Sequence, residues 1–141
     1  MTVKNKKNIA YLFTPIVLFL LLFLPTIKDD LIGKSPRLIG ISPDSLKKKH
    51  LIFVFIPSCS HCRKEAIKLK PLFAKDSNIT GLTANNFEGE IQAFKDSFQI
   101  NFPIVTIERP HMRKYFKKAP RFVYVKDSLT TEVSDSFKLD F

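Results

Sequence analysis

The residues Leu51-Ile-Phe-Val-Phe-Ile56 are apolar without a break, rich in β-branched and aromatic side chains, and end at Pro57. Such a run reads as a strand buried on both faces, in the middle of an α/β sheet. The only two cysteines of the chain, Cys59 and Cys62, follow at once. From Ser60 to about Lys75 the apolar residues Cys62, Ala66, Leu69 and Phe73 recur at helical spacing, with Ser58 placed to cap the helix and Cys59 in its first turn. Any fold for this chain must therefore hold a Cys-x-x-Cys at the junction of a central strand and a helix.

The other elements are read in the same way. Arg37 to Ile41 reads as a short first strand and Ile79–Ala84 as another. Phe87 to Phe98 is an amphipathic helix, Phe102–Ile107 a strand and Pro110–Lys118 a short basic helix. Arg121–Lys126 and Thr130–Phe137 form a hairpin around Asp127-Ser128. This order predicts an α/β sandwich with a mixed central sheet in one domain, residues 37–141.

Ahead of that domain, residues 1–8 are a basic N-terminus, and Ile9 to Ile27 contains no charged residue. Nineteen residues at about 1.5 Å each span roughly 30 Å, the hydrocarbon thickness of a bilayer. We read 9–27 as a transmembrane anchor and 28–36 as a tether. A cleaved signal peptide competes with this reading, but Pro25-Thr26-Ile27-Lys28-Asp29 offers no small-x-small cleavage site. Lys4, Lys6 and Lys7 ahead of the stretch place the N-terminus in the cytoplasm and the domain on the extracytoplasmic, periplasmic side of the cytoplasmic membrane. The chain carries a formal charge of +10, from 23 lysines and arginines against 13 acids. That balance favours anionic head groups or acidic partners. No nucleic-acid-binding motif accompanies it.

Two cysteines separated by two residues at a helix start can close a small disulfide. The first sits where orphan N–H groups and the helix dipole stabilise a thiolate. Cys59 is then the attacking thiol, and Cys62, one turn deeper, resolves the mixed disulfide. Ser60 and His61 between them tune the couple, His61 by adding positive charge that favours the thiolate. Three other readings stand beside this one. A structural disulfide closing so short a loop would stabilise the fold little. A copper or zinc site would need more donors than two thiolates, drawn from His50, His61 or His111. A pair of buried, unpaired thiols is the third.

The buried strand, Cys59-Ser60-His61-Cys62 opening a helix, and Ala119-Pro120 leading into Arg121-Phe-Val-Tyr-Val125 resemble the thioredoxin superfamily. The continuation Arg63-Lys64-Glu65 and the extra helix and strand from Phe87 to Ile107 look like its membrane-tethered TlpA-type and redoxin branch. The resemblance implies a thiol–disulfide oxidoreductase acting on protein thiols or disulfides, with a membrane electron carrier as a possible partner. It implies no cofactor other than the redox-active Cys59–Cys62 disulfide, and no resident metal. It also implies that Pro120 is cis and faces the cysteines, and that the Ala119 backbone binds substrate as a short added strand. Glu65 falls where a partly buried carboxylate could take the proton of the resolving thiol; the alternative is a solvated glutamate paired with Lys68.

Several positions depart from the family pattern. Pro57-Ser58 replaces the usual aromatic residue before the first cysteine, and Ile67 the usual helix-kinking proline, with Pro71 one turn later. The chain stops soon after the hairpin, so the last helix of the superfamily is expected to be absent, leaving one sheet face to the tether, a partner or a membrane. Ile56 stands where peroxiredoxins carry a threonine or serine, which argues against peroxide reduction. The basic cluster Arg109, His111, Arg113, Lys114, Lys117, Lys118 and Arg121 flanks Pro120. It is either a solvated face or a surface that steers acidic clients.

Overall fold

The computed structural model describes residues 30–73 and 78–138. The anchor expected at 9–27 lies outside them, and among the described residues no helix is long and apolar enough to cross a membrane.

Five strands form one mixed sheet in the order β3-β2-β1-β4-β5. β1 (Lys49–Val54) is central, pairing parallel with β2 (Ile79–Ala84) and antiparallel with β4 (Arg121–Lys126). β3 (Ile104–Ile107) extends the parallel side, and β5 (Leu129–Ser134) returns from β4. The two-residue turn between β4 and β5 puts Asp127 and Ser128 at φ 48° and 66°. Matching the twist of a tight hairpin requires this pair of left-handed residues, and aspartate tolerates it well. Three helices complete the fold: α1 (Ser60–Phe73), α2 (Glu88–Phe98) and α3 (Arg109–Tyr115).

Both faces of β1 are covered, as its unbroken apolar run requires. On one face Leu51, Phe53 and Phe55 join Cys62, Ala66 and Leu69 of α1 and Phe94 and Phe98 of α2. Rings stack through this layer: Phe53 on Phe55, Phe55 on Phe94, and Phe53 on Phe122, with centroids 4.6 to 5.3 Å apart. Gly81 of β2 makes room for it, since a Cβ there would come within 3.0 to 3.1 Å of Ile104, Phe55 and Phe102. On the other face Ile52 and Val54 pack with Leu82, Val123, Met112 and Phe116, and with Leu31, Ile39 and Ile41.

The segment before β1 differs from the expected tether and first strand. Residues Pro36–Ile39 form a single turn of 3-10 helix, started by Pro36 under the Ser35 cap and stopped by Gly40 at φ 77°. Pro36 has no N–H to give to a ladder and Gly40 is left-handed, so the stretch cannot run as a strand. It is docked rather than loose. Leu31 is buried, the Gly33 N–H donates to the Thr130 carbonyl at 2.8 Å, and the Thr130 N–H donates to the Lys34 carbonyl at 2.9 Å. The segment thus closes part of the sheet face on which Met112 and Phe116 also pack. Other elements shift by a few residues: Asn85–Phe87 is a 3-10 turn ahead of α2, and α3 stops at Tyr115, where Phe116 turns extended.

Candidate functional site

β1 ends by delivering Pro57-Ser58 to the start of α1. The Arg63 N–H donates to the Cys59 carbonyl at 3.1 Å, so Cys59 itself, one residue later than the Ser58 expected from the sequence, occupies the capping position. Its sulfur takes the place of a capping oxygen, accepting the Cys62 N–H at 3.4 Å. Burial acts to raise the Cys59 pKa, but the N–H and thiol of Cys62 and the N–H of His61 outweigh it, and the thiol lies below its ordinary range. Cys62 is the opposite case. It is fully buried against the aromatic face, its sulfur accepts the Ile56 N–H at 3.5 Å, and burial pushes its thiol up to about 12. The two cysteines thus form an asymmetric pair, one accessible and acidified, one enclosed and protonated.

The Ala119–Pro120 peptide bond is cis, and the chain there comes to the cysteines: the Ala119 carbonyl lies 4.0 Å from Cys59 Sγ. Ser60 and His61 sit exposed in the first turn of α1. His61 supplies its backbone N–H to Cys59, while its imidazole Nε2 stands 3.8 Å from Glu65 Oε1.

Glu65 is buried, with about 3% of its surface exposed, and it is also paired, combining the two readings the sequence held apart. Lys68 Nζ donates to Oε1 at 2.6 Å, and the Phe137 N–H reaches Oε2 at 3.5 Å. Among the described residues it makes no hydrogen bond to either sulfur.

Phe137 belongs to a part of the site that the sequence reading took for strand. After β5, Asp135 is held by Lys118 and Arg121, Phe137 packs against Phe122 with ring centroids 5.9 Å apart, and the Lys138 N–H donates to the Tyr124 hydroxyl at 2.8 Å. This C-terminal strap lies on the aromatic face and reaches Glu65. The alternation of Thr130 to Phe137 hides it, because an apolar residue after a strand looks like its continuation.

Two of the three histidines considered as extra metal donors are engaged elsewhere. His50 is buried at the start of β1, the end away from the cysteines, with Nε2 2.9 Å from Thr80 Oγ1. His111 Nε2 donates to the Leu38 carbonyl at 2.6 Å. Among the described residues no three histidine, cysteine, aspartate or glutamate side chains are grouped to hold a metal ion.

No protein-family model matches the sequence, and no curated protein matches it either. The fold does have solved counterparts. A secreted disulfide oxidoreductase of Mycobacterium tuberculosis superposes with a TM-score of 0.57 at 21% identity, covering 69% of this chain and 79% of that one. A thiol:disulfide interchange protein from Bacteroides sp. gives 0.55 at 14% identity, covering 73% and 75%. The thioredoxin domain of a thiol-disulfide oxidoreductase from Bacteroides vulgatus gives 0.52 at 18%, covering 61% and 69%. These likenesses identify the fold as thioredoxin-like. The Cys-x-x-Cys and the cis-proline stand in this chain's own residues, Cys59, Cys62 and Pro120.

Proposed function

We propose that the protein is a thiol–disulfide oxidoreductase that exchanges disulfides with protein clients through Cys59 and Cys62. The observation that carries this reading is the asymmetry of the pair: an accessible, acidified Cys59 facing the Ala119–Pro120 backbone, above a buried Cys62. The three solved structures described above are thiol–disulfide oxidoreductases, which supports the reading.

When the reduced protein meets a client disulfide, the Cys59 thiolate attacks one client sulfur. The client S–S bond breaks, its second sulfur leaves as a thiolate and takes up a proton, and a mixed disulfide forms. Cys62 then gives up its proton and attacks Cys59 Sγ, releasing the first client thiol and leaving a Cys59–Cys62 disulfide. Two electrons have passed to the client; run backwards, the same steps oxidise a client dithiol. With a Cys62 pKa near 12, the second attack needs a proton acceptor, and Glu65, on the next turn of α1, is the buried carboxylate we assign to that role. Ala119 and Pro120 position the client, and Ser60 and His61 tune the couple. The chain requires no cofactor beyond this disulfide.

The same reading puts the protein in the cytoplasmic membrane by residues 9–27, with its domain on the extracytoplasmic side and a membrane electron carrier as its redox partner. The uncharged stretch and the lysines before it support this. The test is to express the Cys62→Ala chain in cells and capture covalent adducts. Mixed disulfides through Cys59 are expected, and none would form with Cys59→Ala as well. An absence of adducts would overturn the reading. Equilibrating the purified chain with glutathione then gives direction: reductants of this kind lie near −270 mV and oxidants near −120 mV.

A further inference from the structure

α3 and the two residues after it carry two rows of side chains at a spacing of four. Arg109, Arg113 and Lys117 form one, all exposed; Met112 and Phe116, both buried, form the other. The rows border a cavity of about 160 Å³, floored by Ile56, Ala84, Phe87, Met112 and Phe116 and reaching Ala119. A cavity of roughly this size holds a benzene-sized group. Among the described residues none of Arg109, Arg113 and Lys117 has a carboxylate partner, whereas Lys118 beside them is paired with Asp135, which also holds Arg121. Three uncompensated cations around an apolar hole are a different surface from a solvated basic face, which gives its apolar side chains no opening.

The hole is also placed against the chemistry, since Ala119 both lines it and puts its carbonyl 4.0 Å from Cys59 Sγ. An extended client advances about 3.3 Å per residue. A side chain within about three residues of the client cysteine therefore reaches the cavity while that cysteine is bonded to Cys59.

We infer that this surface selects clients whose reactive cysteine is followed or preceded closely by a leucine-, methionine- or phenylalanine-sized side chain among aspartates or glutamates. The inference rests on the thiol–disulfide reading and adds a substrate class to it. The observations favour a peptide over an anionic lipid surface because a head group would use the cations and leave the apolar cavity without an occupant.

The test uses the full-length reduced protein in phosphatidylcholine vesicles and short peptides, each with one cysteine as a mixed disulfide with thionitrobenzoate. Release of the coloured thiol reports attack by Cys59. The peptide with leucine among acidic residues is expected to react about tenfold faster than its lysine-flanked counterpart at low salt, in the range of electrostatic steering. In about 1 M salt, where the screening length is about 3 Å, that preference should collapse. A preference for leucine over serine at the same position should persist. Arg113→Glu combined with Lys117→Glu should reverse the charge preference while leaving reaction with uncharged hydroxyethyl disulfide unchanged.

Equal rates for all peptides, with hydroxyethyl disulfide still reduced, would overturn this inference and leave the thiol–disulfide reading standing. No reaction with any disulfide would overturn both. If the double reversal changed only binding to phosphatidylglycerol vesicles and left peptide rates alone, the cations would serve a lipid surface and the inference would fail.

Discussion

On one face of the sheet Leu51 and Phe53 of β1, with Phe55 just after it, meet the phenylalanines of α2 and the buried Cys62. On the other, Ile52 and Val54 meet an aliphatic layer supplied by α3 and the segment from Leu31 to Ile41. The aromatic face is close-packed and stacked, and it holds the enclosed cysteine and the paired Glu65. The aliphatic face is assembled from short pieces, and at its edge it leaves open a cavity that reaches Ala119. The contrast separates two requirements of disulfide exchange. The resolving thiol must be kept in a fixed, dry place, while the attacking thiol must stand next to a surface that can receive another chain. Alternation along a single strand serves both, because neighbouring β1 residues point to opposite faces.

Breaking the aromatic face should have the largest effect. Phe53→Ala removes a ring stacked on two others and is expected to lower stability by about 3–5 kcal/mol in denaturant unfolding. Tolerance of that change would mean that the stack does not hold Cys62. On the aliphatic face, Leu31→Ala should cost about 2–5 kcal/mol, because this residue is buried in the docked segment. A loss below about 1 kcal/mol would show that α3 alone closes that side.

The aliphatic face also contains His50, whose pKa burial and the nearby Lys47 hold down at about 4 against 6.5. The folded protein therefore keeps His50 neutral while the unfolded chain takes up a proton below about pH 6.5. Stability falls as pH drops from about 6.5 toward 4, by about 3 kcal/mol in all at 1.36 kcal/mol per unit. Subtracting the pH profile of His50→Leu from that of the parent isolates this term, and identical profiles would contradict it. For the aromatic face the finer test is Glu65→Gln, which keeps the shape and removes the base. Resolution by Cys62 is expected to slow by about 10²-fold, the lower end of what a positioned base contributes, with mixed disulfide accumulating in stopped-flow quenching. An unchanged second step would reduce Glu65 to a partner of Lys68 and the C-terminal strap.

The central strand, the helix bearing Cys59 and Cys62, and the hairpin at Asp127-Ser128 are all legible in local pattern. Six apolar residues, a helical spacing and a turn pair each state their structure within a few positions. Short segments around Pro36 and Phe137 mislead, since an isolated apolar residue beside a proline or a strand has the same local appearance whether it pairs, caps or packs. Only long-range contacts distinguish these cases, such as Gly33 and Lys34 bonding to Thr130, and the Phe137 N–H reaching Glu65.

By itself the sequence determined that a Cys-x-x-Cys would stand at the junction of a buried strand and a helix, because periodicity and composition act over neighbouring residues. The tertiary structure alone decided two things. It made Glu65 both buried and paired, and joined the cations of Arg109, Arg113 and Lys117 to an apolar cavity that reaches Ala119. Burial and electrostatic environment are set by residues distant in the chain, and no local pattern encodes which of them arrive.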